Sequence, residues 1–200
     1  SDLSSLSLLL LCAISSSQAD ITPDATLGSL VNLTGQDYAI TGGTQAGTNL
    51  FHSFSIFDVN TGQTATFQGP ASIANIIGRV TGGAVSNIDG QIGSDITGSN
   101  LYLINPAGIV FGPNASLNVD GSFHVSTADY LVLGSDGRFD APNPANSVLT
   151  TSAPAAFGFL DNTPAAMTFN GSRLQVSDGE TLSVIGGDIT ITDAVLYAPD

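Results

Sequence analysis

Residues 174–197 read LQVSDGETLSVIGGDITITDAVLY, and this stretch decides the predicted fold. Hydrophobic residues recur in it as pairs two positions apart, which places both members of a pair on one face of a short β-strand. The pairs are Leu174/Val176, Leu182/Val184, Ile189/Ile191 and Val195/Tyr197. Because Leu174 and Val195 are 21 residues apart with two pairs beginning between them, the stretch predicts stacked coils of three short strands each.

The same pairs occur earlier in the chain, at Leu117/Val119, Phe123/Val125 and Leu131/Leu133. Leu117 and Phe139 are 22 residues apart, again with two pairs beginning between them. Residues 140–172 interrupt this period with four prolines, so we expect an excursion from the regular core there.

This period favours an all-β fold, a right-handed parallel β-helix. Dipeptides such as Asp178-Gly179 mark turns between the strands, but Asp-Gly is also a hairpin signal. An antiparallel β-sandwich is therefore the alternative fold.

The composition restricts the classes of function. The 200 residues include 17 acids and three cations, all of them arginine, and the formal charge is −14. A nucleic-acid-binding protein needs clustered basic residues, which this chain lacks. With 42% hydrophobic and 10% charged residues, the chain has enough apolar surface to fold.

Residues 6–19, LSLLLLCAISSSQA, have the pattern of a secretory signal peptide. The apolar run is too short to span a bilayer, and Ser17 and Ala19 fit a small-residue cleavage site. We predict a truncated signal peptide over residues 1–19, with a buried amino-terminal segment as the alternative. Cleavage would remove Cys12, the only cysteine, so the mature chain would be stabilised without disulfides.

We find no catalytic, metal or cofactor motif in the sequence. The two histidines, His52 and His124, are not near a nucleophile elbow and are too few for a typical zinc site. We interpret His52 as a packed or half-exposed strand residue and His124 as an outward-facing one. Parallel β-helices also house polysaccharide lyases and esterases, so a polysaccharide-binding or polysaccharide-active protein is the alternative function.

Four segments in order carry a resemblance to a known family. They are residues 47–59 (GTNLFHSFSIFDV), 75–83 (NIIGRVTGG), 86–90 (SNIDG) and 100–112 (NLYLINPAGIVFG). Behind a signal peptide, this set closely resembles the amino-terminal secretion domain of two-partner secretion exoproteins, the filamentous-haemagglutinin or haemagglutination-activity type, in a cyanobacterial-like form. The resemblance covers residues 20–200.

Two family motifs depart from their usual form. The N-P-N-G-I motif stands here as Asn105-Pro106-Ala107-Gly108-Ile109, and the N-P-N-L motif has no clear counterpart near residues 69–71. Asn before Pro, with Gly two residues after it, still suits a sharp turn. Residues 105–109 either form only a structural corner or take part directly in recognition.

The resemblance implies a non-enzymatic secretion signal of a larger exoprotein, such as an adhesin, with extra-helical β elements near the amino terminus. It implies export to the periplasm and capture by the periplasmic domains of a dedicated outer-membrane β-barrel transporter. The protein would then be secreted to the medium or surface of a Gram-negative-type bacterium. The recognition residues we expect are Asn49, Leu50, Phe51, His52 and Phe54, together with Asn105, Pro106, Ala107, Gly108 and Ile109.

Further expectations concern binding and assembly. The transporter would add residues 49–59 as an extended strand to a sheet edge. A mature charge of −13, after loss of Asp2, predicts a positively charged partner surface. We expect a monomer without cofactors, possible glycan contacts through the rest of the exoprotein, and a β-helix that continues beyond residue 200, because residues 198–200 do not resemble a polar cap.

Overall fold

The computed structural model describes residues 20–200, in which β-strands and one short 3-10 helix are the regular elements. The predicted signal peptide, residues 1–19, lies outside the described residues. The strands follow in chain order: β1 (Ile21–Pro23), β2 (Ser29–Thr34), β3 (Asp37–Gly42), β4 (Thr44–Ala46), β5 (Asn49–Phe57), β6 (Thr64–Phe67), β7 (Asn75–Val80), β8 (Ser86–Ile88), β9 (Gln91–Ser94), β10 (Asn100–Ile104), β11 (Ile109–Phe111), β12 (Ser116–Asn118), β13 (Phe123–Ser126), β14 (Tyr130–Leu133), β15 (Gly137–Asp140), β16 (Pro154–Gly158), β17 (Met167–Asn170), β18 (Arg173–Gln175), β19 (Leu182–Ile185), β20 (Ile189–Thr192) and β21 (Val195–Tyr197). The 3-10 helix spans Pro144–Asn146.

Three parallel faces form the predicted β-helix. The first face stacks β5, β7, β10, β13 and β19, and the second stacks β8, β11, β17 and β20. The third face contains β3, β6, β9 and β12, and β18 with β21. Outside the excursion, aligned residues of paired strands in successive coils lie 22 to 27 positions apart, as with Arg173 and Val195 or Thr64 and Gln91. The expected parallel β-helix is confirmed, with a slightly longer period than 21 residues.

The inside of the helix is a column of apolar side chains from all three faces. Phe54 and Phe57 pack at a ring-centroid distance of 5.1 Å, and Phe111 stacks on Phe169 of the next coil at 4.9 Å. Aromatic and β-branched residues suit such short pleated strands. Each coil buries its inward side chains against its neighbours, so stability comes from stacking.

An excursion leaves the helix between β13 and β17, and it starts earlier than predicted. Strands β15, β14 and β16 form an antiparallel sheet in that order, so Leu131, Leu133 and Phe139 do not belong to a coil. Phe123 aligns with Leu182, 59 positions later, and the helix resumes at β17. The predicted boundaries of the excursion, residues 140–172, were wrong. The alternation of apolar residues shows which face of a strand a side chain takes, but not which strand it pairs with.

The register of the last coil also differs from the prediction. Leu196, not Val195 or Tyr197, aligns with the inward Leu174, while Val195 aligns with the outward-facing Arg173. All three residues of β21 are apolar, so the spacing alone could not distinguish its two faces. The side chains of Val195 and Tyr197 are exposed.

Extra-helical strands close the amino-terminal end, as expected. Strands β1 and β4 both pair antiparallel with β5, and β2 pairs antiparallel with β3. The edge strands that begin the first and third faces therefore have partners at this end.

Candidate functional site

Strand β5 carries the first predicted recognition residues, and both of its edges are paired. Strand β7 lies parallel along one edge, and β1 and β4 lie antiparallel along the other. In the folded domain, residues 49–57 thus offer no free edge to an incoming strand. A partner strand could therefore pair with this segment only while the chain is unfolded, or after β1 and β4 have been displaced.

Both faces of β5 are buried, as its alternation predicted. Leu50 and Phe54 point into the helix core. Phe51 points outward into a second apolar cluster beneath the excursion, where its ring lies 5.1 Å from that of Phe139. The predicted recognition side chains are therefore inaccessible in the folded state.

His52 is fully buried, at the packed end of the expected range. Its ring lies 5.3 Å from Phe67, and Nδ1 lies 3.2 Å from the Ser29 hydroxyl oxygen. Burial lowers the pKa of His52 to about 4, so the imidazole is neutral at neutral pH. Its Nε2 atom has no hydrogen-bond partner within residues 20–200.

Asn49 begins a ladder of asparagines on the first face. The Asn75 side-chain amide donates to Asn49 Oδ1 at 2.9 Å, and that of Asn100 donates to Asn75 Oδ1 at 3.1 Å. Asn49 in turn donates to the carbonyl oxygens of Thr150 and Ser152 in the excursion, at 3.0 and 2.7 Å. The ladder joins three coils to the excursion through side chains.

Asn105 forms a buried corner after β10. Its side-chain amide donates to Ala84 O and Ser86 Oγ, both at 2.9 Å, and its Oδ1 accepts from Ala107 N at 2.9 Å. Gly108 has φ +115°, a conformation that residues with a Cβ rarely adopt. Pro106 and Ala107 are half-buried, whereas Ile109 begins β11 inside the core. These contacts account for the motif as a corner of the fold, and they leave its role in recognition untested.

Arg79 connects three segments of the fold, although it is not among the predicted recognition residues. It projects from β7, which lies between β5 and β10, and it is 1% exposed. Nε donates to Ser53 Oγ at 2.7 Å, and one terminal nitrogen donates to Asp140 O and Ser147 Oγ at 2.6 and 2.7 Å. The other donates to Thr26 Oγ1 at 3.2 Å. The guanidinium therefore binds the amino-terminal segment, β5 and the excursion together.

Asp24 is an acidic member of this network, linked to Arg79 through Ser53. Ser53 Oγ donates to Asp24 at 2.5 Å, and Thr81 Oγ1 donates to it at 2.9 Å. Burial raises the pKa of Asp24, but the hydrogen bonds from Ser53, Thr26 and Thr81 outweigh this and hold it below its ordinary value. Desolvation lowers the pKa of Arg79, against the attraction of Asp24 and Asp140. A lone arginine within the apolar run of residues 75–80 is the signal that could have revealed this site.

Residues 20–200 contain no group of three or more His, Cys, Asp or Glu side chains placed to hold a metal ion. Across the same range, none of the helical structure is long and apolar enough to cross a bilayer.

Comparison with known protein families finds a match that covers the whole described part of the chain. A family model described as the TPS secretion domain matches residues 19–200. A comparison with curated proteins finds no match.

Proposed function

Because the chain belongs to the TPS secretion domain family, the secretion domain of two-partner secretion, we propose how it acts. The family indicates a secretion-signal role in an exoprotein exported through the periplasm, and a cognate outer-membrane transporter as partner. We propose that this transporter recognises the unfolded chain, and that the domain then nucleates β-helix folding at the cell surface. We propose no enzymatic activity for it.

The difference between the two ends of the β-helix supports nucleation most strongly. At the amino-terminal end, β1, β2 and β4 cover the first strands. At the other end, Ile189 and Ile191 align with the fully buried Met167 and Phe169, yet they are 43% and 53% exposed. A further coil stacked on this end would bury them, so we propose that the β-helix continues beyond residue 200.

Recognition before folding follows from the surroundings of β5. Its edges and faces are occupied in the folded domain, whereas in the extended chain Asn49, Leu50, Phe51, His52 and Phe54 are all accessible. An extended segment could then add to a sheet edge of the transporter's periplasmic domains through backbone hydrogen bonds and alternate side chains. The same reasoning applies to Asn105 and Ile109, which are buried after folding.

Contacts between distant residues would delay folding until most of the domain has emerged. Arg79 reaches residues 61 and 68 positions later, and Asn49 reaches residues 101 and 103 positions later. At ~0.05 to 0.15 kcal/mol per residue, a coil of about 22 residues contributes roughly 1 to 3 kcal/mol once stacked. Folding outside the cell could therefore oppose back-sliding without nucleotide hydrolysis.

The proposal is tested by measuring binding of residues 20–200 to the purified transporter, with the chain either prefolded or freshly diluted from urea. We expect the freshly diluted chain to bind and the prefolded chain to bind much more weakly. The double variant Leu50→Ser/Phe54→Ser should lose binding of the diluted chain. The matched double variant Leu131→Ser/Leu133→Ser, in another alternating apolar strand, should retain it.

Equal binding by the prefolded and diluted chains would contradict recognition before folding. Equal binding by the two double variants would show that residues 49–59 are not the recognised segment. Because residues 20–200 carry a formal charge of −13, which is the −14 of the full chain without Asp2, added salt should weaken the association steeply. A flat salt response would exclude a positively charged binding surface on the transporter.

A further inference from the structure

A column of side chains on the outer side of the first face contains a short stack of rings. The register aligns Ile77, Tyr102, His124 and Ser183 in successive coils. The rings of Tyr102 and His124 are nearly parallel, 8° apart, with centroids 4.2 Å from each other. Because neighbouring strands are about 4.8 Å apart, the next level could hold another ring. It holds the small side chain of Ser183, so one face of the His124 ring adjoins open space.

This space is part of a groove between the first face and the excursion. The groove has a volume of about 380 Å³, and β16 forms its opposite wall with Pro154, Ala155, Ala156 and Phe157. Ile185 also lines the groove and is 38% exposed. The volume lies within the usual range for small-molecule sites, and it exceeds the space that one aromatic side chain occupies.

The polar groups of the groove are uncharged and lack partners. Within residues 20–200, the Tyr102 hydroxyl, the His124 ring nitrogens and the Ser183 hydroxyl make no hydrogen bond. Burial lowers the pKa of His124 and raises that of Tyr102, so both side chains are neutral at neutral pH. No lining residue carries a formal charge, and the net charge of −14 disfavours an anionic ligand.

We propose that this groove binds a neutral sugar ring stacked on the free face of His124. The apolar face of a pyranose would pack on the imidazole as the Tyr102 ring does on the opposite side. Its hydroxyl groups would reach the unpaired groups of Tyr102, His124 and Ser183. An aromatic side chain would use the stacking surface but would leave most of these polar groups without partners. This site goes beyond the proposed secretion role and does not depend on it.

The proposal is tested with residues 20–200 and a panel of neutral oligosaccharides of glucose, galactose, mannose and N-acetylglucosamine. We expect at least one of them to produce saturable NMR shifts of the His124 ring protons. Ser183→Tyr places a third ring in the stack and should weaken binding about tenfold or more, as should His124→Ala. Asn118→Ala, an exposed change on another face of the helix, should leave the affinity unchanged.

Three results would overturn the proposal: no saturable binding by any member of the panel, unchanged affinity in Ser183→Tyr, or tighter binding of aromatic peptides than of any sugar. Ser183→Tyr keeps the test valid if His124→Ala does not fold, because it adds a ring where the stack already has room. The Asn118→Ala control shows whether the affinity responds to a surface change outside the groove.

Discussion

Individual buried polar side chains hold the corners of this β-helix together. Asn105 bonds to three groups in neighbouring turns, and Arg79 bonds to residues of three separate segments. His52 has one hydroxyl neighbour and an otherwise apolar environment. Removing a buried polar partner costs more than the bond itself contributes, because the group left behind is buried without one.

Asn105→Ala tests whether the motif at residues 105–109 is a structural corner. The change leaves Ala84 O, Ser86 Oγ and Ala107 N without their side-chain partner, so we expect a loss of about 1 to 3 kcal/mol in the free energy of unfolding. Urea unfolding measures it, with the exposed Asn118→Ala as a control that should change stability by about 0.5 kcal/mol at most. A stable Asn105→Ala domain that no longer binds the transporter would instead indicate a direct recognition role.

Because His52 is buried and its pKa is lowered, we expect the domain to lose stability in mild acid. The unfolded imidazole has its ordinary pKa of 6.5, whereas the folded one has a pKa of about 4. Between these values the unfolded chain binds a proton that the folded chain excludes, so stability is complete above pH 6.5 and falls as the pH drops towards 4. The loss is on the order of 3 kcal/mol.

Urea unfolding of wild type and His52→Leu at several pH values measures this dependence. The variant should lose most of the slope between pH 6.5 and 4. His124→Leu should retain most of it, since His124 is only partly buried. An unchanged slope in His52→Leu would assign the acid sensitivity to other groups.

Local patterns revealed some of these residues and missed others. The alternation of residues 49–57 predicted that His52 would be packed or half-exposed, and it is fully buried. It could not predict that Arg79 is buried, because the side chains that cover its face of β7 come from residues 137–147, far along the chain. The turn at Asn105-Pro106 was recognisable, but its partners at Ala84 and Ser86 depend on the stacking of coils.

At the scale of elements, the excursion sheet acts as part of the core. Strands β14 and β15 cover Phe51, Ile77 and Ile104 on the outer side of the first face. Their alternation is indistinguishable in sequence from that of helix strands such as β13, so the prediction placed them in a coil. Whether such a strand joins the excursion sheet or a coil depends on its pairing with residues far along the chain, which no local pattern encodes.

Arg79→Leu tests how strongly the excursion is coupled to the amino-terminal segment. It removes the donors to Ser53, Asp140, Ser147 and Thr26 and the charge that attracts Asp24, so we expect a loss of about 3 to 5 kcal/mol in the free energy of unfolding. The measurement is the urea midpoint together with its slope. Arg173→Leu, at an exposed arginine, serves as the matched control, and equal effects of the two changes would contradict the coupling.

At the scale of the whole molecule, the closed and open ends predict a gradient of stability. Local opening costs least where few buried contacts must break. Amides of β7 and β10, which have neighbours on both sides, should exchange with deuterium more slowly than those of β20 and β21, by on the order of tenfold or more. Uniform protection along residues 20–200 would show that the open end is not a weak point.

The gradient should disappear when further coils cover the open end. In the full-length exoprotein we therefore expect the amides of β20 and β21 to become as protected as those of β7. Unchanged rapid exchange there would contradict a β-helix that continues beyond residue 200.

The most direct test of the central claim is secretion of the exoprotein with and without residues 20–200, in cells that produce the cognate transporter. The account predicts that the intact protein reaches the medium or cell surface and that the shortened protein, with the segment before residue 20 retained, stays in the periplasm. If the shortened protein were secreted as efficiently as the intact one, this domain would not be the secretion signal.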